Sequence, residues 1–577
     1  MTVQHLSIKD ALFQAVEHHP DRPAVQTEDG TVTYREFGRR VSEFADELAT
    51  LAAPGEFIGI EAVRTLASVI ALAAALRAER PFVFLDPRDS PSSNHAKVSS
   101  LAVEWIAETS AAADSPVLVP TPVRWRTNAE DRAEPVGTPI APPEDRVGYA
   151  IHTSGSTGEP KCVLVSADPL AKVIADHVRA LELGPESRTL QFARLTFDGC
   201  LTEILWTLTS GACLVVLGEE HLSPGAVLRS TLEKYRITHL KTTPYALTAT
   251  DPTAAMSLRH VLNGGGACRP AVVRKWSERA RFHNAYGTTE STVCNLLSPP
   301  LDPDDCTAGV PLGTVVGDCG VEIVPLPGAQ DEPATGFGPA RGELVITGPS
   351  VAIGYLTARG LRRFADDGVP AQRVYRTGDI VEVRDGQYYF VERLDRQLKV
   401  RGYRIDPGEI ESAACRLDTV VEAAVDAEAY DGDDSSVADA LVCHYQGEAT
   451  PRELRAHLEA VLDPYKVPSV LHQVDALPYS RNGKVDRGAL RADRRRASAA
   501  ARDARPREQV LALVRRLTGV ADAGAEDNFF DLGGDSASTV ILVNKLKELG
   551  WMDAGVRDVL RAENLKVLMD RVQKREG

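Results

Sequence analysis

The chain has 577 residues, too many for one hydrophobic core, so three or four domains are expected. Its 43% hydrophobic and 25% charged residues are those of an ordinary globular protein, and a net charge of −16 argues against a nucleic-acid partner. Nine scattered cysteines without a C-x-x-C pair point to reduced thiols. The opening M-T-V-Q-H-L-S-I-K-D has no signal-peptide apolar region. The longest apolar run, Ala67–Leu76, is too short to span a membrane and reads as a buried helix. A cytoplasmic enzyme with no membrane partner is expected.

From Ser7 to about Arg393, short apolar runs alternate with amphipathic stretches: Thr31–Tyr34 into Arg35–Leu48, Phe57–Ile60 into Arg64–Arg77, then Pro81–Leu85. This alternation predicts α/β layers with largely parallel sheets. Pro120–Glu144 reads as an exposed connection, and no repeat of fixed period is present. Around Asp385–Arg401 the rhythm turns short, charged and β-rich, with strands over Gln387–Val391 and Gln397–Arg404 and a small α+β segment ending near Leu490. Residues 491–507, rich in Ala and Arg without apolar periodicity, predict a linker. Beyond it, Val510–Leu517, Ser538–Leu549, Val556–Leu560 and Leu565–Val572 predict a small helical bundle.

The densest chemical signal is Thr153–Lys161, T-S-G-S-T-G-E-P-K, after the apolar run Val147–Ile151. Glycines admit a ligand close to the backbone, free N–H groups and hydroxyls donate to phosphate oxygens, and the lysine adds a charge. A nucleoside triphosphate is the implied ligand, although G-x-x-x-x-G-K-[ST] does not fit; the alternative is a solvated Ser/Gly linker. Further clusters follow in order: N-A-Y-G-T-T-E over Asn284–Glu290, G-E-L-V-I-T-G-P-S-V-A-I-G-Y-L over Gly342–Leu356, Y-R-T-G-D over Tyr375–Asp379, R-L-D-R-Q-L-K-V-R-G-Y-R-I-D-P-G-E-I-E over Arg393–Glu411, and Y-S-R-N-G-K-V-D-R over Tyr479–Arg487.

Over roughly 7–495 these clusters, in this order, resemble the adenylation domain of a nonribosomal peptide synthetase, within the adenylate-forming enzymes that include acyl-CoA synthetases and luciferases. D-N-F-F-D-L-G-G-D-S, Asp527–Ser536, resembles the phosphopantetheine attachment motif of a peptidyl carrier protein. The resemblance implies an α/β fold with an adenylate-forming core over 1–394, a small mobile α+β subdomain over 395–490, a linker over 491–507 and a four-helix carrier bundle over 508–577. It also implies ATP, Mg²⁺ and 4′-phosphopantetheine as cofactors. Thr153, Ser154, Gly155, Ser156, Thr157, Gly158 and Lys161 would hold phosphates. Asn284 and Tyr286 would meet the adenine, Asp379 would accept the ribose hydroxyls, and Gly265, Thr289 and Arg393 would complete the nucleotide site. Glu290 would bind the metal ion, a hard cation that takes carboxylate oxygen. Lys484 would bridge substrate carboxylate and phosphate, Asp395 would be the hinge of the small subdomain, and Ser536 would carry the phosphopantetheine.

The family's amino-acid pocket maps to Phe197, Asp198, Gly199, Thr202, Lys241, Leu262, Gly264, Ala285, Val293 and Cys294. Asp198 would pair with an α-ammonium. A buried Lys241 needs an anionic or strongly accepting partner, so an aspartate-like or asparagine-like substrate is expected, with room at Gly199 and Ala285 for a β-substituent. A one-residue slip near Lys241-Thr242-Thr243 is the alternative that would remove the lysine from the pocket.

The chain departs from the family pattern at Cys162 and Glu392, where glycine is usual, at Thr288, where proline is usual, and at Glu79 and Arg80, where small residues are usual. Cys162 is expected to alter closure of the preceding loop without abolishing activity. The expected function is formation of an aminoacyl-AMP and its loading onto the chain's own carrier. An acyl-CoA ligase releasing a CoA thioester is the alternative, and an inactive docking scaffold is disfavoured because Lys484, Asp379 and Glu290 are all present. With no H-H-x-x-x-D-G or G-x-S-x-G motif, the chain is expected to load without elongating or releasing. The implied partners are a phosphopantetheinyl transferase, a condensation domain or tailoring enzyme in trans, and an MbtH-like helper.

Overall fold

A computed structural model describes residues 6–109, 115–121, 146–153, 161–306, 309–326, 341–357, 360–364, 373–394, 397–428 and 440–479. Beyond these it describes 485, 487, 489–490, 506–518, 520, 523–532, 534, 538–539, 542–543, 546–547, 551 and 554–571. These residues form two compact units, one up to 396 and one from 397 onward.

The first unit is built on three sheets. One has nine strands in the order Thr314–Val315, Leu296–Leu297, Arg281–Tyr286, His260–Asn263, His239–Thr242, Arg188–Leu190, Cys213–Val215, Pro23–Gln26 and Thr31–Thr33. Its six central strands, Arg281–Tyr286 to Pro23–Gln26, are mutually parallel and its edges antiparallel. A second sheet of eight strands has a parallel centre around Ile58–Glu61 and Phe82–Leu85, with Val147–Thr153 leading antiparallel into Lys161–Ser166. Strands such as Ile58–Glu61 and Phe82–Leu85 are buried along their whole length, which is why they read as continuous apolar runs rather than alternating ones.

Helices fill the space around these sheets. Helix Tyr34–Leu51 buries Tyr34, Phe37, Val41, Phe44, Ala45 and Leu48, the three-and-four spacing of one face. The expected buried helix runs Leu66–Arg77, is capped reciprocally by Thr65 and Ser68, and is enclosed from Leu66 to Ala75. Helix Gly199–Thr209 is buried from Cys200 to Leu208.

One expectation is corrected. Between 320 and 393 the described residues do not continue the α/β rhythm: Gly320–Val324, Arg341–Thr347, Val374–Arg384 and Gln387–Arg393 form a four-stranded, wholly antiparallel sheet, and Gly354–Thr357 and Gly360–Arg363 extend the eight-stranded one. The last two strands are joined at Asp385-Gly386, both at positive φ (48° and 76°), the conformation a tight hairpin requires and Asp-Gly supplies.

In the second unit, helices Pro407–Ala414 and Pro451–Val461 accompany a three-stranded sheet, Val420–Glu428, Ala440–Gly447 and Val470–Gln473. The carrier segment has described helices Pro506–Thr518, Val556–Arg561 and Leu565–Arg571 around a core that includes Val514, Phe529, Leu542, Leu546, Trp551 and Leu568. Helix Pro506–Thr518 starts inside the span expected to be linker. All nine cysteines are unpaired; six are buried, Cys268 and Cys319 are half-buried, and Cys415 is exposed. Among the described residues no helix is long and apolar enough to cross a membrane.

Candidate active site

The parallel strands of the nine-stranded sheet end together, and their last residues and following loops carry most of the expected site. Lys241 pairs with Leu262, Leu262 with His283, and Asn263 with Asn284 across three adjacent strands. Ligand sites beyond the carboxyl ends of such strands are the rule in open α/β sheets.

Asn284 is buried, donates to the Pro311 carbonyl (2.9 Å) and accepts from Asn263 (2.9 Å). Gly265 lies in the loop beyond, at φ 77°. Tyr286 donates its hydroxyl to Asp379 Oδ2 (2.6 Å), and Arg393 donates to Asp379 Oδ1. Asp379 and Arg393 face each other across the hairpin ladder, and the Asp379 backbone N–H donates to Thr377 Oγ1 (3.0 Å). Burial first, and then the Asp379 charge, pushes the Tyr286 hydroxyl well above its ordinary range, so it stays a donor. Tyr286, Asp379 and Arg393 thus form one buried polar unit.

A second group adjoins it. Thr153 ends one strand and pairs with Lys161, which begins the next. The Lys161 ammonium lies 5.2 Å from the centre of the Tyr355 ring, and the Tyr355 hydroxyl donates to Glu290 Oε1 (2.7 Å). Glu290 is 1% exposed, and its backbone carbonyl accepts from Ala352 (2.8 Å). A buried carboxylate of this kind is a ligand class suited to Mg²⁺, which takes one or two carboxylates together with substrate phosphates. The neighbouring Thr289 side chain acts on Asp198, favouring its charged form.

Asp198 stands just ahead of helix Gly199–Thr209 and makes no side-chain cap to it. Its Oδ2 is shielded from solvent and has no hydrogen-bond partner, as has the hydroxyl of Tyr149. Burial raises Asp198 above the ordinary carboxylate range, against the opposing effects of Thr289 and of the Lys241 charge. Lys241 donates to the Gly199 carbonyl (3.2 Å) and to Thr202 Oγ1 (2.5 Å), and lies 5.9 Å from the Trp206 ring centre. Both acceptors are neutral, and among the described residues no carboxylate forms a salt bridge with this ammonium. A Cβ on Gly199 would come 3.4 Å from Lys241 Nζ, and one on Gly264 3.3 Å from its Cε, so both glycines leave the lysine its space. Burial pushes the Cys294 thiol up to about 12, and the charges of Lys241 and Asp198 both act on it. Ala285 and Val293 pack beside Leu262 and Cys294, and Phe197 directly precedes Asp198. Thr292 and Val293 both have positive φ, 62° and 67°, a costly conformation for a β-branched residue.

Ser154, Gly155, Ser156, Thr157, Gly158, Asp395, Lys484 and Ser536 lie outside the described residues. Around them, an antiparallel bridge joins Tyr479 to Val485, and Arg487 donates to Glu411 (2.6 Å). In the carrier motif, a Cβ on Gly534 would come 2.3 Å from the Phe529 ring, so that glycine is required by packing. Cys162 is buried in its strand between His152 and Leu356. Glu79 holds φ 54° where the family has a small residue.

Sequence reasoning missed several charged and polar groups of the site: Glu203, Arg64, Tyr149 and Tyr355. Glu203 had a signal, since a carboxylate inside G-C-L-T-E-I-L-W has no polar face to occupy. Tyr149 and Tyr355 had none, because aromatic residues in strands ordinarily denote core.

Layered mixed sheets that hold two buried carboxylates, Glu290 and Asp379, and the half-buried Lys241 fit a nucleotide-using ligase fold, here followed by a carrier-sized helical domain. The chain belongs to the AMP-binding enzyme family: residues 12–356 match that family, 409–484 match the AMP-binding enzyme C-terminal domain, and 508–572 match the phosphopantetheine attachment site family. It is therefore an adenylate-forming ligase with a carrier domain, of a family that uses ATP, with Mg²⁺ typical, and phosphopantetheine. It is 32% identical to novobiocin biosynthesis protein H of Streptomyces niveus, over 93% of this chain and 91% of that protein. It is 31% identical to bacitracin synthase 3 of Bacillus licheniformis over 97% of this chain, but spans 9% of that much longer protein. In fold it is similar to a solved nonribosomal peptide synthetase protein containing adenylation and carrier domains bound to a vinylsulfonamide inhibitor. That likeness has a TM-score of 0.78 at 24% identity and covers 99% of this chain and 97% of that one.

Proposed function

We propose that the chain activates an amino acid as its adenylate and transfers it as a thioester to phosphopantetheine on Ser536 of its own carrier domain. The observation that carries this reading is Asp198: a carboxylate beside Thr289 whose Oδ2 is shielded from solvent and without a partner. Such an acceptor suits the α-ammonium of an amino acid and has no use for a fatty or aryl acid. The Thr289 side chain acts on Asp198 and Thr289 directly precedes Glu290, which supports an ammonium acceptor close to the metal-suited carboxylate.

In this scheme Tyr286, Asp379, Arg393, Asn284 and Gly265 bind the nucleoside. Thr153, Lys161 and the residues 154–158 hold the phosphates. Glu290 would hold Mg²⁺, which supplies charge neutralisation at the phosphates when bound. Lys484 would bridge the substrate carboxylate and phosphate, and Asp395 would be the hinge at which the small subdomain, 395–490, turns between the two half-reactions. A division of the described residues at 396/397, close to residue 395, supports this reading.

The side chain of the substrate is aspartate-like or asparagine-like. Lys241 supports this, because its ammonium rests on two neutral oxygens and a buried cation gains most from an anionic or strongly accepting ligand. The partners would be a phosphopantetheinyl transferase, an MbtH-like helper, and a condensation domain or tailoring enzyme in trans. The nine unpaired cysteines support a cytoplasmic location.

The test is ATP–pyrophosphate exchange by the full chain across proteinogenic amino acids and β-substituted aspartates, followed by mass analysis of the phosphopantetheinylated protein. Exchange led by aspartate or asparagine analogues, with a matching mass gain on the carrier, is expected. Exchange with hydrophobic amino acids alone would remove the role of Lys241. Product appearing solely on free CoA would overturn carrier loading.

A further inference from the structure

Residues 191–197 lead from strand Arg188–Leu190 to Asp198 and contain no helix or strand of their own. An irregular segment beside a pocket ordinarily satisfies its backbone with water. Here the Phe192 and Ala193 backbone N–H groups donate to the Glu203 carboxylate at 2.9 and 3.0 Å. The carbonyls of the same two residues accept from the Arg64 guanidinium, both at 2.7 Å, and Arg64 also donates to the Gln191 side chain at 2.7 Å. The next residue, Arg194, donates to Asp86 at 2.6 Å. Glu203 is 1% exposed and the Arg64 side chain 6%. Burying a carboxylate and a guanidinium costs free energy unless each is fully hydrogen-bonded. Both are directed at the backbone of the same two residues, one from the donor side and one from the acceptor side.

We propose that Glu203 and Arg64 are positioning residues that grip the Phe192–Ala193 backbone from opposite sides and so hold Asp198 in place for the amino acid's ammonium group. The ring closes over a short path. Asp198 precedes helix Gly199–Thr209, Glu203 lies on that helix, and its carboxylate returns to the segment that delivers Asp198. No hydrogen bond orients Asp198 Oδ2, so the backbone that carries the residue sets its direction. Arg64 comes from the loop before helix Leu66–Arg77, so the grip also ties the substrate-binding segment to the eight-stranded sheet. This inference rests on the reading of Asp198 as the ammonium acceptor.

The experiment measures amino-acid KM and ATP KM in pyrophosphate exchange for the full chain and for Glu203→Gln, Glu203→Ala, Arg64→Lys and Asp198→Ala, using the panel's best amino acid. Hydrogen exchange of the 191–198 peptide is measured on the same proteins. Glu203→Ala and Arg64→Lys are expected to raise amino-acid KM about tenfold or more, leave ATP KM within about twofold, and speed exchange at 191–198. Glu203→Gln, which keeps one acceptor oxygen, is expected to fall between Glu203→Ala and the unaltered chain and serves if the alanine variant fails to fold. Unchanged amino-acid KM in the Glu203 and Arg64 variants, or equal rises in both KM values, overturns the positioning role. If Asp198→Ala also leaves amino-acid KM unchanged, the ammonium reading fails with it; if Asp198→Ala alone raises KM, the grip alone is wrong.

Discussion

At the scale of single residues, two charges dominate, the buried Asp379 and the half-buried Lys241. Asp379 is fully enclosed and serves both the Arg393 guanidinium and the Tyr286 hydroxyl. Asp379→Ala leaves both without their partner, which costs about 3 kcal/mol of stability. A lower melting temperature of the full chain is expected, together with a higher ATP KM, and an unaltered melt would show that the pair is not coupled in this way. Lys241 is the opposite case, a cation resting on neutral oxygens. Lys241→Leu is expected to reduce exchange with an acidic substrate by roughly 100-fold, the equivalent of about 3 kcal/mol for a desolvated charge pair. Neutral amino acids should lose far less, and an equal loss across the panel would mean that the lysine supports the fold rather than selects the side chain.

At the scale of elements, the central parallel strands stack three buried histidines. His239 and His260 have ring centres 5.0 Å apart and His260 and His283 5.3 Å. His260 Nδ1 donates to His283 Nε2 (3.0 Å), and His283 Nδ1 donates to the Ser298 carbonyl (3.0 Å). Burial pushes His239 down to about 4, and burial with the neighbouring histidines pushes His260 to about 3; His283 is lowered too, and the buried His177 lies at about 4. Below pH 6.5 the unfolded chain takes protons at these positions that the native chain refuses. Stability should therefore fall as pH drops from about 6.5 to about 4, by up to about 1.4 kcal/mol per pH unit for each histidine. Three carboxyls raised by burial, Glu203 (to about 7), Asp198 and Glu409, work the other way, against four histidines. Urea midpoints measured across this range should show the decline, and His260→Gln should flatten it; a midpoint constant down to pH 4.5 would exclude the effect. None of this was legible in the sequence, because histidines 21 to 23 residues apart meet only through strand register. The helices were legible where their apolar spacing is clean, as in Tyr34–Leu51, and the four-stranded antiparallel sheet was not, because its strands alternate with connections rather than helices.

At the scale of the whole molecule, the order of motifs along the chain made the ligase core and its carrier readable, because a series of short clusters in one order is far more specific than any one of them. Arg64 and Glu203 carried no motif, because they touch backbone, which any residue supplies. The proposed cycle predicts that Ser536→Ala leaves pyrophosphate exchange within about twofold of the unaltered chain while abolishing the carrier's mass gain. Loss of exchange in that variant would tie adenylation to the carrier. The distribution of thiols has a practical corollary. Eight of the nine cysteines are at least half-buried and Cys415 is exposed, following helix Pro407–Ala414 in the unit that begins at 397. A maleimide dye applied to the unphosphopantetheinylated native chain should thus attach at one position without any engineered cysteine. The small subdomain arrives with its own attachment point for fluorescence, and the proposed rotation on ATP binding could be followed in real time from a single natural label.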